Sequence, residues 1–140
     1  MNKEVSYLVI DNAATTSDIK KQFNDVFPFL KIEFFRELHI AGLGTSKNKI
    51  ISSEIKLGEI QKIKRKGKVE IGNDIVVGKF EQQLKNEFGL YVQIFRKSGS
   101  IWLETSVTDN WTLGRQNEEG RMLEQHFKID RENPEKYHST

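Results

Sequence analysis

The chain has 140 residues, of which 30% are charged and 36% are hydrophobic, and its formal net charge is +2. This length suits one compact domain, or two half-size units that would be too small to be stable apart. Cysteine is absent, which excludes disulfides, thiolate catalysis and cysteine-based metal sites. Neither half of the chain is strongly basic, unlike most modules that bind nucleic acids. We expect a cytoplasmic protein, because the apolar run at residues 7–10 is too short for a signal peptide or a membrane span.

The first part of the chain predicts a strand, a helix and a second strand. Residues 5–10 are rich in apolar and β-branched side chains, which is typical of a strand. Thr16 or Ser17 is expected to cap a helix with one apolar stripe, and Pro28 is expected to end it. Residues 30–38 alternate in polarity and therefore predict a second strand.

The middle of the chain predicts a connection between two similar halves. Residues 39–48 contain two glycines and few packing residues, which favours a loop. Residues 50–55 are expected to return as a strand, and residues 57–64 are expected to form a short helix.

The second half predicts the same order of elements. Residues 68–71 form a strand candidate, followed by a helix with an apolar stripe that Gly89 ends in a left-handed cap. A strand at 90–96 then turns into a hairpin partner at 101–105. A last helix is expected to hold three side chains against the core: Met122, Leu123 and Phe127.

An internal repeat accounts for this order. Residues 17–27 align with 78–88 at an offset of 61, and residues 30–36 align with 90–96 at an offset of 60. A shorter block, residues 56–59, is echoed at 112–115.

The repeat predicts an α+β fold in which two tandem βαββ(α) pseudo-repeats pack their helices on a mainly antiparallel sheet. The expected units are residues 4–65 and 66–129, within a single domain of residues 1–129. We expect a flexible tail at 130–140. β-grasp-like units are the alternative.

The segment VVGKFEQQLKNEFGLYVQIFR, residues 76–96, resembles a pattern found in small, functionally uncharacterised bacterial proteins. The resemblance implies a bacterial origin and a shared fold unit. It implies no activity.

Aromatic side chains gather on the sheet face that is expected to point away from the helices. The candidate binding residues there are Phe35, Tyr91, Phe95 and Trp102, with Arg36 and Arg96 beside them. Three explanations are open: the rest of the chain covers this face, a second copy of the protein covers it in a homodimer, or single-stranded nucleic acid stacks on it.

A basic segment lies between the two predicted units, with Lys62, Lys64, Arg65, Lys66 and Lys68. Such a segment can hold a phosphate backbone, but a solvated linker explains it equally well.

No catalytic or metal-binding set emerges from the sequence. Residues 42–47 lack the spacing of a phosphate-binding loop, and the three histidines, His39, His126 and His138, are far apart in the chain. We therefore expect no cofactor, no metal and no membrane partner. The leading hypothesis is a non-enzymatic binding or assembly module that forms a homodimer or binds a protein. Weak binding of single-stranded nucleic acid is the alternative, and an enzyme comes third.

Overall fold

The structure is a computed structural model that describes residues 5–36 and 50–132. It has the predicted α+β organisation. The elements in chain order are β1 (Ser6–Ile10), α1 (Thr16–Val26), β2 (Leu30–Phe35), α2 (Leu57–Ile60), β3 (Gly67–Ile71), α3 (Val77–Phe88), β4 (Tyr91–Ser98), β5 (Ile101–Glu104) and α4 (Leu113–Glu132). The predicted loop at 39–48 lies outside the described residues. Helix α4 continues into the predicted tail as far as Glu132, and the rest of that tail also lies outside them.

Two antiparallel sheets form the framework of the fold. Strand β1 pairs with β3 in a two-stranded ribbon, and β2, β4 and β5 form a three-stranded sheet with β4 in the middle. The first strand of one predicted unit thus pairs with the first strand of the other, and β2 pairs with β4 in the same way. The β-grasp alternative is wrong, because a β-grasp unit pairs these strands within itself.

Contacts at aligned positions support the predicted repeat. In the ribbon Leu8 lies opposite Val69, and these residues are 61 positions apart. In the larger sheet Glu33 lies opposite Gln93, 60 positions apart. Each ladder therefore contains, at or beside its centre, a pair of residues separated by one of the two sequence offsets. The internal repeat stays a prediction, and these registers are what a twofold-related pair of units requires.

Helix α1 begins one residue earlier than predicted, at a cap formed by Thr15. The Thr15 hydroxyl accepts the Asp18 N–H at 3.2 Å, and the Asp18 carboxylate accepts the Thr15 N–H at 3.0 Å. This reciprocal pair satisfies two backbone donors at once, which a cap at Thr16 or Ser17 would not do. The helix ends at Val26, just before Pro28.

The two long amphipathic helices meet in the core, as their apolar stripes predict. The rings of Phe23 in α1 and Phe80 in α3 are stacked with their centroids 5.7 Å apart, and both side chains are fully buried. Gly89 ends α3 with a φ of 60°, which confirms the predicted left-handed cap.

Three local predictions need correction. Residues 50–55 form no strand, because only Ile50 bridges to β2. Helix α2 ends at Ile60, since the side chain of Gln61 donates to the carbonyls of Ile63 and Arg65 and turns the chain. Met122 is 54% exposed and does not pack in the core. Leu123 and Phe127 are half-buried.

Candidate functional site

The predicted aromatic face is largely closed. Phe35 and Phe95 are buried, with 4% and 7% of their surface exposed, and Tyr91 and Trp102 are half-buried. The ammonium group of Lys31 lies 5.4 Å from the centroid of the Phe95 ring and 5.0 Å from that of Trp102. Phe35 and Phe95 therefore present no open ring face to a base, which corrects the predicted stacking platform at these two positions.

The two arginines beside that face have different surroundings. Arg36 is exposed. Arg96 is half-buried, donates to the Gln116 side chain in α4 at 2.9 Å and lies 5.7 Å from the ring of Trp111. These contacts place Arg96 between the sheet and α4 and make it a packing residue.

The side chains of the basic segment are exposed, and the segment runs from the end of α2 into β3, which contains Lys68. The Lys64 ammonium donates to the carbonyl of Gly58, and the Lys68 ammonium lies 5.1 Å from the ring of Tyr7. Exposure of this kind suits a solvated linker and an anion-binding segment equally. Both interpretations stay predictions.

A cleft of about 360 Å³ opens between α3 and the start of β4. Its volume falls within the range typical of ligand-binding pockets. Two of its residues, Phe35 and Tyr91, belong to the predicted binding set. The lining is Phe35, Gly78, Glu81, Gln82, Lys85, Asn86, Tyr91 and Val92. Five of these residues belong to α3. The last four follow Gly78 by three, four, seven and eight positions, so all five lie on one face of the helix.

Glu81 is the titratable group of the cleft with a strongly altered pKa. Burial raises the pKa of its carboxyl from 4.5 to about 7, although the Ile94 N–H donates to its Oε2 at 2.9 Å and favours the charged form. The negative charges of Asp109 and Glu104 raise this pKa further. The Glu81 side chain is half-buried, and the effect of burial on its pKa outweighs that of the single hydrogen bond.

Lys85, which could neutralise the charge of Glu81, contacts Tyr91 instead. Lys85 lies one turn further along α3, at the spacing that favours an ion pair. Its ammonium group lies over the ring of Tyr91, 5.8 Å from the centroid. The charges that act most strongly on Glu81 are therefore both acidic.

The first unit carries the opposite charge at the aligned position. Lys20 aligns with Glu81 at the helical offset of 61, and its ammonium group lies 3.1 Å from the carboxylate of Glu33. Glu33 aligns with Gln93, which is neutral and buried. An ammonium–carboxylate pair thus occupies this place in one unit, whereas a carboxylate faces a cleft in the other.

Sequence reasoning missed Glu81. The sequence signal that distinguishes it is the charge reversal between aligned positions 20 and 81, where Lys20 is replaced by a glutamate. The reversal alone shows no burial, which depends on the strand and turn that pack beside α3.

Two further properties concern the described part of the chain only. Within residues 5–36 and 50–132, no group of three or more His, Asp or Glu residues is arranged to hold a metal ion. None of the helices in these ranges is both long enough and apolar enough to cross a membrane.

Comparison of the chain with protein families, with curated proteins and with solved structures gives no match. The resemblance of residues 76–96 to uncharacterised bacterial proteins stays a prediction. Any proposal about function must therefore be argued from the geometry of the cleft.

Proposed function

We propose that this protein is a binding module, and that the cleft beside α3 holds a cationic amine group of its ligand. The observation that carries the proposal is Glu81, a desolvated carboxylate on the wall of an open cleft whose strongest charged neighbours are acidic. A buried charge is stable only when a partner compensates it. An ammonium group bound in the cleft would supply that partner.

The aligned contact in the first unit supports the choice of ligand. There the ammonium group of Lys20 reaches the carboxylate of Glu33. In the second unit Lys85 is held over Tyr91, and the strand position is the neutral Gln93. The first predicted unit therefore neutralises its carboxylate internally, whereas Glu81 would obtain its ammonium from a ligand.

Binding is favoured over catalysis because of what lines the cleft. Glu81 has a pKa suited to proton transfer near neutral pH. Covalent catalysis needs in addition an activated nucleophile. Among the described residues, the polar groups beside Glu81 are the amides of Gln82 and Asn86, which bind and orient ligands, and Lys85 and Tyr91, which contact each other as an ammonium over a ring.

The proposal predicts proton release on binding. Because the pKa of Glu81 is about 7, the carboxyl is mostly ionised near pH 8 and mostly protonated near pH 6. A cation binds to the ionised form, so its affinity should be about tenfold higher near pH 8 than near pH 6.

The test is an NMR titration of ¹⁵N-labelled protein with n-butylamine, whose ammonium form persists across this pH range. The amide of Ile94 reports on Glu81, because it donates to that carboxylate. Saturable shifts of this amide are expected, with the stated pH dependence, and Glu81→Gln should abolish them. Glu70→Gln, at an exposed position on β3, is the matched control and should retain them. Equal shifts with the neutral n-butanol would overturn the proposal.

Self-association is a second candidate function, and the outer edge of β1 is the observation that favours it. Val5, Tyr7 and Val9 are 46%, 44% and 51% exposed. The Val9 N–H donates to the side chain of Gln22 and not to β3, so the odd-numbered residues of β1 direct their backbone groups outward. Antiparallel pairing of two β1 strands about Tyr7 would set Val5 of one copy opposite Val9 of the other, and the Val9 N–H would leave Gln22 for a carbonyl of the partner strand.

Light scattering after size-exclusion chromatography tests this second candidate. Wild type is expected as a dimer, and Tyr7→Ser as a folded monomer. Trp102→Ser, on the originally predicted face, is the control and should remain dimeric. A monomeric wild type would refute self-association and leave the amine site unaffected.

A further inference from the structure

Among the described residues, β5 is the strand on this side of β4, and it ends before the part of β4 that borders the cleft. Strand β5 pairs with β4 from Phe95 to Ser98 only, and the last pair of the ladder is Phe95 with Glu104. Beyond it, the Thr105 N–H and hydroxyl both donate to the Ile94 carbonyl, at 3.2 and 2.8 Å. The backbone groups of Ile94 thus point toward β5 and away from β2.

Val92 continues this direction past the end of β5. Residues two apart in a strand direct their N–H and C=O groups to the same side. The N–H and C=O of Val92 therefore lie on the side where β5 has ended, and Val92 lines the cleft. Its side chain packs against the core cluster, on the face of the sheet that carries α3.

We propose that the cleft accepts an extended peptide segment of a protein partner, with a lysine opposite Val92. The backbone of that lysine would pair with Val92 as one further residue of a β-ladder. Paired residues on neighbouring strands direct their side chains to the same face. The lysine side chain would therefore lie on the α3 side, where Glu81 is.

Charge complementarity favours lysine as the occupant. The charged groups that raise the pKa of Glu81 are the carboxylates of Asp109 and Glu104. The surroundings of Glu81 are therefore acidic. Strand addition to an exposed edge, with pockets for particular side chains, is an established way to bind a peptide. This inference rests on the proposed amine site and extends it to the peptide backbone.

The test compares four probes by NMR titration near pH 8. The first is the capped peptide acetyl-Ala-Ala-Lys-Ala-Ala-amide. The second carries a methyl group on the lysine backbone nitrogen, which removes the donor to Val92. The third has norleucine in place of lysine, and the fourth is n-butylamine, which offers the ammonium group alone.

The lysine peptide is expected to bind about tenfold more tightly than n-butylamine, because it adds two backbone hydrogen bonds. It should also shift the Val92 amide, which n-butylamine should leave in place. Backbone methylation should lower the affinity toward that of n-butylamine, because it removes one of the two hydrogen bonds, and the norleucine peptide should bind more weakly still.

The outcomes separate the inference from the function on which it rests. If the lysine peptide, its methylated form and n-butylamine bind equally and Val92 does not respond, strand pairing is refuted while the amine site stands. If none of the probes moves the Ile94 amide, both the amine site and the peptide site are refuted. Circular dichroism confirms in each case that the protein used is folded.

Discussion

Replacing Glu81 with glutamine (Glu81→Gln) should stabilise the protein, and the gain should grow with pH. The pKa of this carboxyl is about 7 in the folded protein against 4.5 for an ordinary glutamate. Between these values the folded protein binds more protons than the unfolded protein, so the unfolding free energy falls as the pH rises. The loss is complete above about pH 7 and absent below about pH 4.5.

The size of the effect follows from the two pKa values. Their separation corresponds to about 3 kcal/mol of unfolding free energy. Glutamine keeps an oxygen that can accept the Ile94 N–H and has no charge to desolvate. The variant should therefore be up to about 3 kcal/mol more stable than wild type near pH 8, and within about 0.5 kcal/mol of it near pH 4.

Urea denaturation followed by circular dichroism, repeated from acid to mildly alkaline pH, measures this difference. Titrating groups that do not interact with Glu81 contribute equally to both proteins and cancel in the comparison. Glu70→Gln, on the exposed face of β3, should differ from wild type by less than about 0.5 kcal/mol throughout. A difference between Glu81→Gln and wild type that does not grow with pH would refute the burial of this charge.

Three further predictions concern the framework that holds the cleft. Gly89→Ala should cost at least about 2 kcal/mol, because φ is 60° and a Cβ would lie 2.6 Å from a backbone nitrogen. Gly72→Ala, with nothing within 4 Å, is its control, and equal urea midpoints for the two variants would contradict the prediction. Thr15→Ala should cost about 1 kcal/mol in the same assay by removing the α1 cap, and an unchanged midpoint would argue against that cap. Gly120→Ala should loosen α4, since its Cβ would lie 2.8 Å from that of Phe29; faster amide hydrogen exchange in α4 would show this, and unchanged protection would contradict it.

Local patterns predicted most of the secondary structure. The apolar stripes of α1 and α3 recur at helical spacing, and Gly89 ends α3 as expected, because these signals depend on residues within one or two turns. The predicted strand at 50–55 failed for the opposite reason. An apolar run becomes a strand only where another edge pairs with it, and β2 meets this segment at a single bridge, formed by Ile50 and the Ile51 N–H.

The candidate site was only partly predictable. Phe35 and Tyr91 were predicted as binding residues on the outer sheet face, and they line the cleft. Glu81 was not predicted, because a glutamate between apolar positions of an amphipathic helix is typical of a solvated surface. Its burial comes from β4 and from the turn that contains Asp109, and neither lies near it in the chain.

The sequence by itself determined the α+β class, the positions of the long helices and their buried faces, since these follow from spacing and composition over short stretches. The tertiary structure alone decided that the strands pair between the predicted units and that β5 stops short of Val92. It also decided the desolvation of Glu81. Strand pairing and desolvation both depend on which distant residues come together, because a ladder needs a second edge and a local dielectric is set by every group that excludes water.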